Sequence, residues 1–204
     1  MKFIETNLLK KHNVIKDIFD YQGFDESIVK IYIQFENVFK DLFTSYSEIY
    51  EIRDCCFYIS ENISCNAFAL RKRGYHIIAI TNGYAILISE KFQNNIFNNI
   101  SSVSLLSDEG IQNAYYTLKN CSDFNYSDFL LNCSIHFTFG HEFRHILQFI
   151  HDKMNHSEYN FNENCQEEIF DIKKHAWEFD ADRAASCQVI SYVFNTYRKL
   201  KLID

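Results

Sequence analysis

The residues best equipped for chemistry are His141, Glu142 and His145, in the run His-Glu-Phe-Arg-His. On a helix, positions four apart share a face, so both imidazoles can reach one metal ion. Glu142 stands at the edge of that face, where its carboxylate can take a proton from a water bound to the metal. This is the HExxH arrangement of zinc-dependent hydrolysis. The chemistry asks for these residue types. Neutral imidazoles leave zinc electrophilic, and zinc lowers the pKa of its water to about 7, where a carboxylate can act as the base.

A catalytic zinc usually takes three protein ligands and keeps one position open. His151 lies ten residues after His141, the spacing of the HExxHxxGxxH pattern, but Gln148 occupies the place of the glycine that turns the chain. A helix continuing through Gln148 rotates His151 away from the other two histidines. The better candidate is Glu178, in the run from His175 to Asp182. Glu178 and Asp182 are four apart and share a helix face. One carboxylate can bind zinc while the other accepts a hydrogen bond from the distal nitrogen of a ligand histidine. Trp177, Phe179, Ala181, Ala184 and Ala185 surround them and predict a largely buried segment. Buried acids need partners, and a metal with its histidines supplies them. Gly140, just before His141, costs a helix about 1 kcal/mol relative to alanine. Close packing of another backbone is a reason to keep it.

The elements that must position these groups are mostly helical. The apolar run Phe129, Leu130, Cys133 and Phe137 continues to Ile150 and predicts a long helix capped by Ser127 or Asp128. A second long helix is predicted from about Glu163 to Arg198. Residues 25–53 carry apolar side chains at the 3–4 spacing of a helical face, with Asp25 or Ser27 as cap. Phe57–Ile59 and Tyr75–Thr81 read as strands, with turns at Arg73-Gly74 and Asn82-Gly83. Shorter helices are predicted over 84–98 and 109–119. The whole is an α+β fold, mostly helical, with a small antiparallel sheet packed beside the helix pair that carries these residues. One domain over 1–204 is expected, with a helical N-terminal extension (1–53) and a catalytic core (55–200).

HExxH followed by Glu178-Phe-Asp-Ala-Asp182 resembles the HExxH…ExxAD pattern of gluzincin peptidases related to HtpX and the CAAX prenyl proteases. Upstream, Asn66-Ala67-Phe68-Ala69, the strand Ile77–Thr81 and Gly83 resemble that family's NAFA segment, edge strand and glycine turn. The resemblance spans residues 66–185. It implies that the helix pair carrying these residues is a zincin active-site pair, that His141, His145 and Glu178 bind one zinc, that Glu142 is general base and then proton donor, and that Asp182 supports the ligands from behind. It also implies that Asn66 and Ala67 lie beside the cleft, and that the strand around Ile78 and Ala79 offers its backbone edge to an extended substrate. The chain departs from the family in lacking membrane helices and in the long interval between Gly83 and His141. Many relatives use a further His or Arg for the oxyanion. Here Tyr192, Tyr197, Arg198 and His175 are the substitutes at hand. A second resemblance, to Lit-type phage-exclusion peptidases, implies an intracellular protease of bacterial defence with a specific protein substrate.

Composition narrows the classes. The 204 residues include 47% hydrophobic side chains, 17% aromatics, no proline and five glycines, enough for a substantial core with few enforced helix breaks. A net charge of -7 argues against nucleic acid as partner. Seven cysteines without a CxxC pair argue against a zinc ribbon. The N-terminus lacks a signal-peptide core, and no run is long enough to span a membrane, so a cytoplasmic protein is expected. The leading reading is a zinc-dependent endopeptidase acting on a protein or peptide substrate, with control by a regulatory partner. The alternatives are a zinc amide hydrolase on a small substrate and a non-catalytic, metal-stabilised binding protein.

Overall fold

The computed structural model describes residues 6–93, 124–152, 158–160 and 172–200, with scattered residues between 109 and 121. Helix α1 (Thr6–Lys11) and the long α2 (Glu26–Ile49) precede strands β1 (Cys55–Ser60), β2 (Ala67–Lys72) and β3 (Tyr75–Thr81). Helix α3 (Asn82–Gln93), the long α4 (Tyr126–His151), a short β4 (Glu158–Asn160) and the long α5 (Ile172–Lys199) follow. The fold is α+β and mostly helical, as the periodicities predict. Residues 94–98, 163–171 and most of 109–119 lie outside the described residues.

The sheet order is β1-β3-β2-β4. Strands β2 and β3 form the expected hairpin. Its two turn residues, Arg73 and Gly74, have φ of 51° and 85°, as a two-residue turn matched to the strand twist requires. The sheet departs from the antiparallel expectation because β3 inserts between β2 and β1 and runs parallel to β1, with Phe57 opposite Ile78. Asn82-Gly83 also departs from its predicted role as a closing turn, since it opens α3. The Asn82 side chain accepts hydrogen bonds from the Asn62 and Gly83 amides at 2.9 and 3.1 Å. A Cβ on Gly83 would stand 2.1 Å from the Ile63 carbonyl oxygen. This pair therefore seats the loop that leads into β2.

Both faces of the sheet are covered. On one, Phe57, Ile59, Ala69, Ile78 and Ile80 pack with Phe35, Phe39 and Phe43 of α2 and with Ile135, Phe139, Phe143 and Ile146 of α4. On the other, Cys56, Tyr58, Ile77 and Ala79 meet Leu9, Val14 and Ile15. Burial on both faces is why β1 and β3 read as continuous apolar runs and not as alternating ones. Helix α2 belongs to the same core as β1 and α4, with the Phe39 and Phe57 rings 4.1 Å apart. Among the described residues no helix is long and apolar enough to cross a membrane.

Helices α4 and α5 pack antiparallel along a seam of small residues. A Cβ on Gly140 would fall 2.9 Å from the Ala185 Cα and 3.0 Å from the Gln188 Cβ, and Ala181 and Ala185 are fully buried. This is the close backbone approach that the glycine suggests. The seam is pinned beside it by Gln188, which accepts from the Tyr46 hydroxyl and lies 3.0 Å from the His136 Nδ1. Burial pushes His136 down to about 4, so the ring is neutral at pH 7 and its Nδ1 accepts from the Gln188 amide.

Gly140→Ala tests the seam, because two effects oppose each other. Helix propensity favours alanine by about 1 kcal/mol, while overpacking costs about 1–3 kcal/mol. Urea unfolding of the metal-free protein should show a net loss of stability. A more stable variant would contradict the close approach.

Candidate metal centre

Helix α4 carries the site. Asn125 is its N-cap and accepts from the Asp128 amide at 3.2 Å, two residues ahead of the cap predicted at Ser127. The helix runs unbroken through Gln148 to His151. His151 therefore sits exposed at the helix end, rotated from the metal face, as its missing glycine suggests. His141 and His145 lie one turn apart on the buried face, 8% and 1% exposed.

Helix α5 brings the third group. The ligand atoms of His141, His145 and Glu178 all lie within 4.8 Å of one another, so the three can hold a metal ion. The two Nε2 atoms are 3.0 Å apart, and the Glu178 Oε2 is 3.3 Å from that of His141 and 3.7 Å from that of His145. Behind them, the His141 Nδ1 is 3.0 Å from the Asp182 Oδ1, and the His145 Nδ1 is 2.8 Å from the Gln148 Oε1. An Nδ1 hydrogen given to each of these oxygens leaves each Nε2 with a lone pair in the neutral ring. Three acceptors then converge on one point, an arrangement that a metal ion, or in part a proton, between them makes favourable.

Two further observations fit a cation there. The second oxygen of Glu178, Oε1, is buried and makes no hydrogen bond, an unfavourable state for a carboxylate without a nearby positive charge. Burial pushes the Glu178 carboxyl up, yet in the metal-free cluster hydrogen bonds and charge from His141 and His145, with a proton on the Nε2 side, overturn this and hold it down at about 2. It is thus an anion through the physiological range. Two imidazole nitrogens and one carboxylate are a donor set that suits zinc.

Glu142 is 5% exposed and lines a cleft of about 240 Å³ beside His141. Asn66 and Ala67 form part of its wall, with Tyr84, Thr138 and Asp182. The other two residues placed at the cleft by sequence, Ile78 and Ala79, are not there. β3 is an inner strand, paired on both sides, and both residues are fully buried. The edge nearest the site belongs instead to β2, whose pairing with β4 covers only Leu70–Lys72. That leaves Ala67–Ala69 without a neighbouring strand on that side among the described residues. Ala69 and Ala67 turn small side chains toward the core that α4 shares.

The α5 segment is less buried than its composition suggests. Ala181 and Ala185 face the seam, but Phe179 is 74% exposed and the Asp182 side chain 61%. Among the oxyanion candidates, Tyr192 is occupied elsewhere, stacked on His136 at 4.3 Å, and none of Tyr192, Tyr197, Arg198 and His175 lines the cleft. His76 faces a different cavity, with Arg53 and Arg71. Sequence reasoning also missed the roles of Gln148, which sits directly behind His145, of Asp180, which accepts from Gln148, and of Arg144, which pairs with Asp180. The available signal was spacing: Arg144 and Gln148 are one turn apart on α4, and Gln148 is three residues after His145.

No family model, curated protein or solved structure matches the chain.

Asp182→Ala removes the acceptor behind His141 and leaves the three ligand side chains in place. Such supporting contacts are worth about 10–100-fold in metal affinity. Competition with a chromogenic chelator should show zinc bound one per chain but more weakly by that order. Unchanged affinity would mean that the Asp182 contact does not orient the ring.

Proposed function

We propose that the chain is a zinc-dependent peptidase of the gluzincin type, with His141, His145 and Glu178 as ligands and Glu142 as general base. The observation that carries this reading is the meeting of three acceptors from two helices beside a buried carboxylate, Glu142, that lines a cleft. When bound, zinc would supply Lewis acidity, polarising a scissile carbonyl and acidifying water beside it. Glu142 takes the proton of the attacking water and returns it to the leaving nitrogen. Its place in the cleft wall beside His141 suits the work. Asp182 holds His141 with its Nδ1 hydrogen turned away from the site.

The cleft favours a polypeptide over a small amide. Its wall at Asn66 and Ala67 is the start of a strand that, among the described residues, has no neighbouring strand on its outer side over Ala67–Ala69. Backbone alternation turns the main-chain groups of every second residue outward along such an edge, and an extended substrate can add to it as a further strand. Recognition of this kind reads main chain first and side chains second. The substrate is then an extended or locally unfolded protein segment in the cytoplasm, and a regulatory partner would act by covering the same edge.

Glu142→Gln separates catalysis from binding. The variant should retain one zinc per chain while cleavage of a proteome-derived peptide library falls by about 10²–10⁴-fold, the usual worth of a positioned base. A zinc-loaded wild type that cuts no peptide in such a library, or a variant that cuts as well as wild type, would contradict the peptidase reading.

A further inference from the structure

We propose that Gln148 is a positioning residue that fixes the ring of His145 for metal binding, and that Asp180 and Arg144 hold Gln148 in place. The inference rests on the metal-centre reading and adds to it a support for the second histidine.

The argument starts from the amide of Gln148. Its Nε2 lies 3.0 Å from the Trp177 carbonyl oxygen and 3.1 Å from the Asp180 Oδ2. Both neighbours are acceptors only, so they require the NH2 end of the amide, and both of its hydrogens are used. A flipped amide would set its oxygen against two acceptors and lose both bonds. The remaining end, Oε1, is therefore the group that faces the His145 Nδ1 at 2.8 Å. An amide oxygen cannot donate, so the hydrogen is on Nδ1 and the Nε2 lone pair points toward Glu178 and His141. Gln148 is 8% exposed and His145 1%. Water is thus a poor substitute for the amide, and a ring turned to the other tautomer would leave a buried hydrogen-bond group unmatched.

The amide is itself clamped. Arg144 donates from Nε to the Asp180 Oδ2 at 2.5 Å and from Nη2 to Oδ1 at 3.2 Å, a two-point charge-assisted grip. It holds the carboxylate that receives Gln148. Arg144 and Gln148 share a face of α4, and Asp180 comes from α5 two residues after Glu178. The same contact that orients His145 therefore also sets the register in which α5 presents Glu178. His141 is served differently, by the carboxylate of Asp182 directly. A neutral amide at one histidine and an anion at the other leaves Glu178 and Asp182 to balance a divalent ion.

The test uses the full chain with ¹⁵N-labelled histidine. The metal-free protein is observed above the pH range where histidines titrate, and zinc affinity is then measured by chelator competition. Wild-type His145 should show the Nδ1–H tautomer. In Gln148→Met, which keeps length and loses the amide, the ring should move to Nε2–H, and zinc affinity should fall by about 10–100-fold. A wild-type His145 found as Nε2–H would overturn the proposal, whether or not the variant folds. So would a folded Gln148→Met protein that binds zinc within about twofold of wild type, well below the usual worth of such contacts. Nδ1–H in a wild-type protein that binds no zinc would support the clamp and overturn the metal reading instead.

Discussion

Three electron-pair acceptors meet where α4 and α5 cross, and they repel one another unless a cation lies between them. Two imidazole nitrogens 3.0 Å apart with a carboxylate oxygen at 3.3 and 3.7 Å are not a hydrogen-bonded cluster once both Nδ1 hydrogens point the other way. A proton can relieve that repulsion in part. A divalent metal relieves it fully and also gives the buried, unpartnered oxygen of Glu178 a nearby positive charge. The fold is arranged so that this convergence is enforced and not merely allowed.

Enforcement comes from the seam. Gly140 lets α5 approach until its Ala185 backbone touches α4, and that closeness brings Glu178 within reach of both rings. The aromatic core of α2, β1 and α4 holds the opposite side of α4 still, through Phe139 and Phe143 against Phe39, Phe43 and Tyr46. Gly83 and Asn82 seat the loop before β2, and so place Asn66 and Ala67 at the wall of the cleft that Glu142 lines. Each device is local, and together they bring the Glu142 carboxylate, the His141–His145–Glu178 cluster and the start of β2 to one place.

The ligand set was legible because it is written in helical spacing. His141 with His145, and Glu178 with Asp182, are each one turn apart, and helix geometry alone aligns them. Gly140 was legible as a cost that needed a reason. What the sequence hid was long-range. The insertion of β3 between β1 and β2 cannot be read from strand propensity, so the sequence points to an edge at Ile78 and Ala79, which lie on an inner strand. Asn82-Gly83 has the composition of a hairpin turn, but tertiary contacts with Asn62 and Ile63 use it to start a helix. Phe179 looked like core, and only the packing shows it facing outward. Gln148 gave no signal by type, because an amide in a helix is ordinarily a solvated side chain. Its role depends on a partner 32 residues away.

The most direct measurement is the metal content of the protein by mass spectrometry, after stripping and reconstitution with zinc, for wild type beside Glu178→Ala. The account predicts one zinc per wild-type chain and a sharp loss in the variant, since removing one acceptor leaves a two-ligand site. No zinc in the wild-type chain, or an equal content in both proteins, would contradict it. The convergence of His141, His145 and Glu178 would then be a protonated cluster in a helical seam and not a metal centre.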